Sequence, residues 1–176
     1  MLKKNKKKGI LFWIEGFSGS GKTSISKKIY PKIKQLFGPT IIIQGDIFRK
    51  IFKLKSFSRQ GRYDNSLKYR KFAKFITNQN VNLIFTVVGL MKEPRKWLRK
   101  NISNYVEIHI NASLNKIRRN KKKKTYNQKK NIVGIDIKPE LPLNADIVIN
   151  NDFKKSTDRL SKELIIKILK LNKNLR

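Results

Sequence analysis

The chain is 176 residues long, a length that makes one domain, and its 39 % hydrophobic content suffices for one buried core. It has no cysteine and a single histidine, His109, so disulfides, thiolate metal sites, cysteine nucleophiles and histidine metal clusters are all excluded. Lys and Arg number 43 against 11 Asp and Glu, a formal charge of +32 that ordinarily points to nucleic acid or an anionic surface; here the lysines are spread over the whole chain, helix faces included, and mark no dedicated site.

The basic start, Met1 to Lys8, followed by apolar residues has the outline of a secretory signal, but the apolar run Ile10 to Ile14 is shorter than the roughly 7–15 residues such a core needs and ends in Glu15. No stretch approaches the ~18–20 apolar residues of a membrane span, so a soluble, cytoplasmic protein without a membrane partner is expected. Residues 9–15 predict a buried strand, and Gly16-Phe17-Ser18-Gly19-Ser20-Gly21-Lys22-Thr23 then matches the phosphate-binding loop at every fixed position. Glycines let the backbone turn tightly enough for successive N–H groups to converge on phosphate oxygens, and the helix that follows adds its positive N-terminal dipole. Lys22 reaches the β and γ phosphates as a point charge, and the Thr23 hydroxyl is placed to ligate Mg²⁺. Gly16, Ser18, Gly19, Ser20, Gly21, Lys22, Thr23 and Ser24 are the candidate ATP-binding residues.

Residues 21–37 predict a helix with Ile25, Ile29, Ile33 and Leu36 on one face, kinked or shortened by Pro31. Thr40-Ile41-Ile42-Ile43 is a second buried strand, with Gln44-Gly45-Asp46 at its carboxyl end, where open α/β sheets bind ligands, and a short helix through Arg49 and Phe52. Residues 53–61 are polar and turn-rich apart from Phe57; a helix over 62–77 is expected to bury Leu67, Phe72, Phe75 and Ile76. Strands over 82–88, 105–110 and 147–149 alternate with helices over 93–100, 112–119 and 156–171, the last burying Leu160, Leu164, Ile165 and Ile168. This alternation means parallel strands joined by crossovers: a three-layer α/β P-loop NTPase (nucleoside triphosphatase) fold with a mostly parallel central sheet. His109, inside a strand, reads as a structural histidine, and Trp13 and Trp97 as packing residues. Residues 120–131, with Lys121 to Lys124, Tyr126, Lys129 and Lys130 and almost no apolar anchor, predict either a disordered basic loop or a mobile basic lid of about 120–135 that closes over phosphates; their position after the fourth strand's helix favours the lid, with Lys123 a candidate ATP contact in a run that does not resolve lysine by lysine.

From about Ile10 to Asp152 the chain resembles the adenylylsulfate kinase family. Gln44-Gly45-Asp46 with Arg49 stands where that family has Asp-Gly-Asp followed by Arg; Phe57-Ser58 with Arg62 and Asn65 matches its Phe-Ser element; Lys130-Asn131, Gly134-Ile135-Asp136 and Pro142 match its later motifs. The resemblance implies transfer of the ATP γ-phosphoryl group to the 3′-hydroxyl of adenylyl sulfate, with Mg²⁺. It implies Asp46 beside the acceptor hydroxyl and the metal; Arg49, Phe57, Arg62, Asn65, Lys130, Asn131 and the position of Ile132 around the acceptor; a small-molecule nucleotide as partner; and room for a homodimer. The chain departs from the family pattern at Gln44, at Ile47, in Thr86-Val87-Val88-Gly89-Leu90, in a shorter lid, and at Ile132 where the family has a Phe that stacks on the acceptor base.

Phosphoryl transfer needs positioning and charge neutralisation more than covalent help, so Lys22 and Asp46 are the candidate catalytic residues. Asp46 also suits a helix N-cap, Arg49 and Arg62 suit solvated charges, and Phe57 suits a loop anchor. Three activities stay open: a 3′-kinase of adenylyl sulfate, the same chemistry on another nucleoside 5′-phosphoanhydride such as cytidine diphosphoramidate, and a noncatalytic basic nucleotide- or nucleic-acid-binding protein. The third disagrees with Lys22, Thr23 and Asp46 occurring together. Binding to DNA or RNA is accordingly expected to be sequence-independent and steeply lost between low and physiological salt; sequence-selective binding at physiological salt in a titration series would restore the third activity.

Overall fold

The computed structural model describes residues 8–119 and 130–173. The chain runs β1 (Leu11–Glu15), α1 (Lys22–Phe37), β2 (Thr40–Gln44), α2 (Gly45–Ile51), α3 (Arg59–Asn78), β3 (Asn82–Val87), α4 (Lys92–Asn101), β4 (Tyr105–Asn111), α5 (Leu114–Arg119), β5 (Ile147–Asn150) and α6 (Thr157–Lys173). The strands form one sheet in the order β2-β3-β1-β4-β5, and every pairing is parallel. β1 lies at the centre, Leu11 in register with Leu83 on one side and Tyr105 on the other. Its five residues are all buried, as a strand covered on both faces requires.

Two apolar clusters sandwich the sheet. Phe12 and Ile14 of β1 pack with Ile25, Ile29 and Ile33 of α1 and with Leu160, Leu164 and Ile168 of α6. Leu11 and Trp13, alternating to the opposite face, pack with Phe48 of α2, Tyr69 and Ala73 of α3, and Leu98 of α4. Helices on both faces make the expected three layers, and the carboxyl ends of all five strands share one edge.

Several expectations fail in detail. Pro31 does not shorten α1: it lies within the helix on an exposed face, where water can satisfy the carbonyl that its missing N–H leaves open. Leu36, expected in the core, is 40 % exposed. α3 begins three residues before the expected 62, because the Ser58 hydroxyl accepts the Gly61 N–H at 3.1 Å and caps a turn whose charged residues carry no apolar signal. Its buried side is Asn65, Ser66, Tyr69, Arg70, Ala73 and Thr77, leaving Leu67 at 38 % and Phe75 at 61 % exposure. Arg70 can be buried there because its guanidinium lies over the Tyr63 and Trp97 rings, at 5.5 and 5.3 Å, and its Nε donates to the Ser66 carbonyl. Residues 120–129, and with them most of the expected lid including Lys123, lie outside the described residues; of the lid's last part, Lys130 and Asn131 are exposed and Ile132 is buried.

Candidate active site

The loop from β1 into α1 is built by close approach. A Cβ on Gly16 would stand 2.6 Å from the Ile110 carbonyl oxygen of β4, so no other residue fits where the chain leaves the sheet. Gly21 has φ of 96° and is the N-cap of α1, so the cap position itself offers no side chain to the helix's first N–H groups. Those N–H groups are the ones that bind phosphate in such loops. Asn151, just past β5, supports the loop from beneath: its side-chain amide donates to the Ser20 carbonyl at 3.0 Å and its backbone N–H to the Asn111 carbonyl at 2.8 Å. The Lys22 ammonium folds back over the loop and donates to the Gly16 and Phe17 carbonyls at 2.9 and 2.6 Å.

Ser18, Gly19, Gly21, Lys22, Thr23 and Ser24 line one cavity of about 330 Å³ together with Asp46 and Arg49. A second, smaller cavity adjoins it, lined by Arg49, Phe57, Arg62 and Asn65; Arg49, Val87 and Val88 border both. Asp46 thus stands on the phosphate-loop side of the junction between the two. It occupies the first turn of α2, whose N-cap is Gln44, so the capping role open to it in the sequence is not the one it has. Its carboxylate pairs with Arg49 one turn on. The Arg49 and Arg62 guanidiniums lie over the Phe57 ring at 5.0 and 5.6 Å, and Arg62 also donates to the Phe57 and Asn131 carbonyls, both at 2.9 Å. Burial, then the nearby Arg49 charge, lowers the Arg62 pKa from its ordinary value. Asn65 is buried and donates to the Ser56 carbonyl.

Three candidates stand apart from this lining. Lys130 and Asn131 are exposed, and the Asn131 carbonyl accepts from Arg62. Ile132 packs with Ala112 and Ile117 in a separate small core, joined by Phe17 and Phe153. Conversely, Asn151, Phe153 and Thr157 line the phosphate-side cavity and Trp13 the other, and none was a sequence candidate for the site. The rule that ligands gather at strand carboxyl ends covers Asn151, which follows β5, but no motif singles it out.

Behind the site lies a chain of charges, buried at Glu15, Arg95 and Glu107 and reaching the surface at Arg99 and Asp146. Glu15, the last residue of β1, and Glu107 of β4 both meet Arg95 at 3.3 Å, and Glu107 and Asp146 both meet Arg99. Burial pushes the Glu15 carboxyl up to about 8, the Arg95 charge opposing and the Glu107 charge reinforcing the shift. Its Oε2 and the Trp13 Nε1 make no aligned hydrogen bond with any described residue, although the indole lies near enough to favour the charged form somewhat. With Glu15 protonated, the carboxylates of Glu107 and Asp146 balance the two guanidiniums. His109, level with Glu15 on β4, is held neutral by burial and by the Arg95 and Lys22 charges, which take it down to about 4.

The residues fit a bound metal nucleotide. The start of α1 and the glycine cradle suit a triphosphate, while the Thr23 hydroxyl and the Asp46 carboxylate, which line the same cavity, are oxygen donors of the kind that Mg²⁺ takes. Among the described residues no cluster of three or more His, Asp or Glu could hold a metal alone.

A parallel sheet with a glycine-rich loop between its central strand and a helix, and an acid at the end of the second strand, defines a phosphate-loop phosphotransferase. The adenylylsulphate kinase family model matches residues 8–150, and the chain belongs to that family. It is 36 % identical to the cytidine diphosphoramidate kinase of Campylobacter jejuni, over 92 % of this chain and 96 % of that one. It is 28 % identical to the adenylyl-sulfate kinase of Rippkaea orientalis, over 89 % and 90 % of the two chains. In fold it resembles the Mycobacterium tuberculosis APS kinase solved with AMPPNP and APS, with a TM-score of 0.81 at 22 % identity, over 92 % of this chain and 98 % of that one.

The raised Glu15 pKa fixes the sign of a pH effect. Between the ordinary carboxylate range and about 8 the unfolded chain releases this proton first, so stability falls as pH rises through that window. Glu15→Gln, neutral throughout, is expected to flatten the decline of the unfolding temperature between pH 5 and 9; a decline as steep as in the wild type would place its origin elsewhere.

Proposed function

We propose that this protein, working as one kinase domain, transfers the γ-phosphoryl group of ATP to the 3′-hydroxyl of adenylyl sulfate, giving 3′-phosphoadenylyl sulfate and ADP. The observation that carries the reading is the junction: Asp46 borders the phosphate-loop cavity, and Arg49, its partner, borders both that cavity and the one holding Phe57, Arg62 and Asn65. An acceptor in the second cavity places its hydroxyl between Asp46 and the nucleotide. The bond between that oxygen and γ-phosphorus forms as the one to the bridging oxygen of ADP breaks, and Asp46 takes the proton. Thr23 would hold Mg²⁺, which when bound neutralises charge on the β and γ phosphates. Lys22 exchanges its loop carbonyls for phosphate oxygens. Arg49 now lies on Asp46 and over Phe57; an anionic acceptor draws the guanidinium onto itself, uncovering both the carboxylate and a ring face on which a base gains ~1–3 kcal/mol by stacking. Lys123, Lys130 and Asn131 complete the site in this reading, and a cytoplasmic homodimer belongs with it.

A second reading, the same transfer to cytidine diphosphoramidate, matches the similarity to the Campylobacter jejuni enzyme and is supported by Ile132, which packs in a separate core and is absent from the acceptor-cavity lining, where Phe57, Tyr69 and Trp13 are the aromatic residues.

Lys22→Ala is expected to cut turnover by several orders of magnitude with the fold retained, since its charge is used in the transition state. Asp46→Asn should abolish transfer and leave ATP affinity within about tenfold. Circular dichroism beside a turnover assay checks both, and near-normal turnover in either variant would sink the kinase mechanism. The acceptor is decided by radiolabelled ATP with adenylyl sulfate, cytidine diphosphoramidate, and the 3′-deoxy form of whichever reacts. Adenylyl sulfate should be phosphorylated and its 3′-deoxy form should not; transfer to the cytidine compound alone would establish the second reading.

A further inference from the structure

Glu140 lies in the stretch that returns the chain to β5, and its N–H, carbonyl and carboxylate are all engaged. The carboxylate accepts from the Arg59 guanidinium at 2.5 Å, at the start of α3, and from the Lys92 backbone N–H at 2.6 Å, at the start of α4. Its own N–H donates to the Leu90 carbonyl at 2.9 Å, and its carbonyl accepts from Arg95 Nη2 at 2.7 Å. One residue therefore ties α3, α4 and the loop between β3 and α4 to the returning segment. The same elements wall the acceptor cavity, Phe57, Arg62 and Asn65 on the α3 side and Gly89, Met91 and Pro94 on the α4 side, while Glu140 does not line it. Glu140 instead borders a small gap directly behind, shared with Arg59, Arg62, Val88 and Met91. The four bonds differ in weight. Both carboxylate bonds are exposed; the Arg59 ion pair contributes little, whereas a carboxylate on the first N–H of a ten-residue helix forms a charge-assisted bond at the positive end of the helix dipole.

The geometry points to Glu140 as a positioning residue for the acceptor: through the start of α4 and the start of α3 it sets the separation of the two walls without touching either substrate. This rests on the placing of the acceptor in that cavity. The phosphate loop is held by other contacts, those of Asn151 and Ile110, and the bond to Arg95 comes from the Glu140 backbone, so loss of the side chain should reach the acceptor and not ATP.

Two measurements on Glu140→Ala and Glu140→Gln in the full chain test this. In steady-state kinetics with adenylyl sulfate, and cytidine diphosphoramidate in parallel, Glu140→Ala is expected to raise the acceptor KM about tenfold with the ATP KM within about twofold; Glu140→Gln, which keeps an oxygen for the Lys92 N–H, should restore it to within about threefold. In amide hydrogen exchange without substrates, peptides covering 54–62 and 88–95 should exchange faster in Glu140→Ala and the peptide covering 16–24 should not. An unchanged acceptor KM, or both KM values rising together with a lowered unfolding temperature, would overturn the assignment, as would exchange that is unchanged or uniformly faster. Should the wild type phosphorylate neither acceptor, the proposed function fails, and the exchange pattern alone decides the role of Glu140.

Discussion

The turn from β1 into α1 leaves no room for a side chain at Gly16, because the backbone passes against the Ile110 carbonyl of the neighbouring strand. That contact fixes the start of the phosphate loop relative to the sheet, and much of the site takes its position from it. α1 must begin with its N–H groups pointing along the sheet edge, Lys22 must fold over the loop, and Asn151 must reach in from β5 to take the Ser20 carbonyl. The two clusters on either side of the sheet then hold β1 against α1 and α6 on one face and against α2, α3 and α4 on the other, so that nucleotide and acceptor cavities meet at one edge. The catalytic geometry is a consequence of packing around a central strand, with few side chains committed to chemistry alone.

The buried charges behind the site are harder to account for by stability. Burying Glu15 and Glu107 costs more than their pairing with Arg95 recovers, which is why both carboxyl pKa values are raised. The arrangement closes only if one carboxyl stays protonated, and Glu15, fully buried, is the one pushed furthest. An apolar residue at the end of β1 would cost less. What the ion chain supplies is direction: Arg95 faces Glu15 below the phosphate loop, Glu107 on β4 and the Glu140 carbonyl of the returning segment, and fixes the three against one another.

On the acceptor side an aromatic ring, two arginines and one carboxylate share a small space. Both arginines lie over Phe57 and Arg49 pairs with Asp46, which keeps two cations and an acid satisfied at a junction where each is exposed to the field of the others. The excess of basic residues over the whole chain adds a positive potential that draws polyanionic nucleotides of any kind, and so contributes encounter rate and little discrimination. In the proposed reading, selectivity falls to shape and to Phe57, Asn65 and the loop after β3.

The phosphate loop, the buried strands and the strand–helix alternation were legible because each depends on local physics: glycine at positions where a Cβ clashes or φ is positive, β-branched runs where both sheet faces are covered, and helices long enough to close a parallel crossover. Asp46, Arg49, Phe57, Arg62 and Asn65 were singled out through the resemblance to the adenylylsulfate kinase family, and they line two adjoining cavities. What the sequence could not fix was which face of α3 turns inward, since its apolar residues lie on both sides and Tyr69, Ala73 and the stacked Arg70 won over Leu67 and Phe75. Nor could it assign Ile132 to a core with Ala112 and Ile117, or find Glu15, Arg95, Glu107 and Glu140, which lie on separate elements far apart in the chain and acquire partners only when the sheet and α4 are packed. Local geometry is written in neighbouring residues. Partnerships across elements depend on burial, and burial exists only once the tertiary structure has formed.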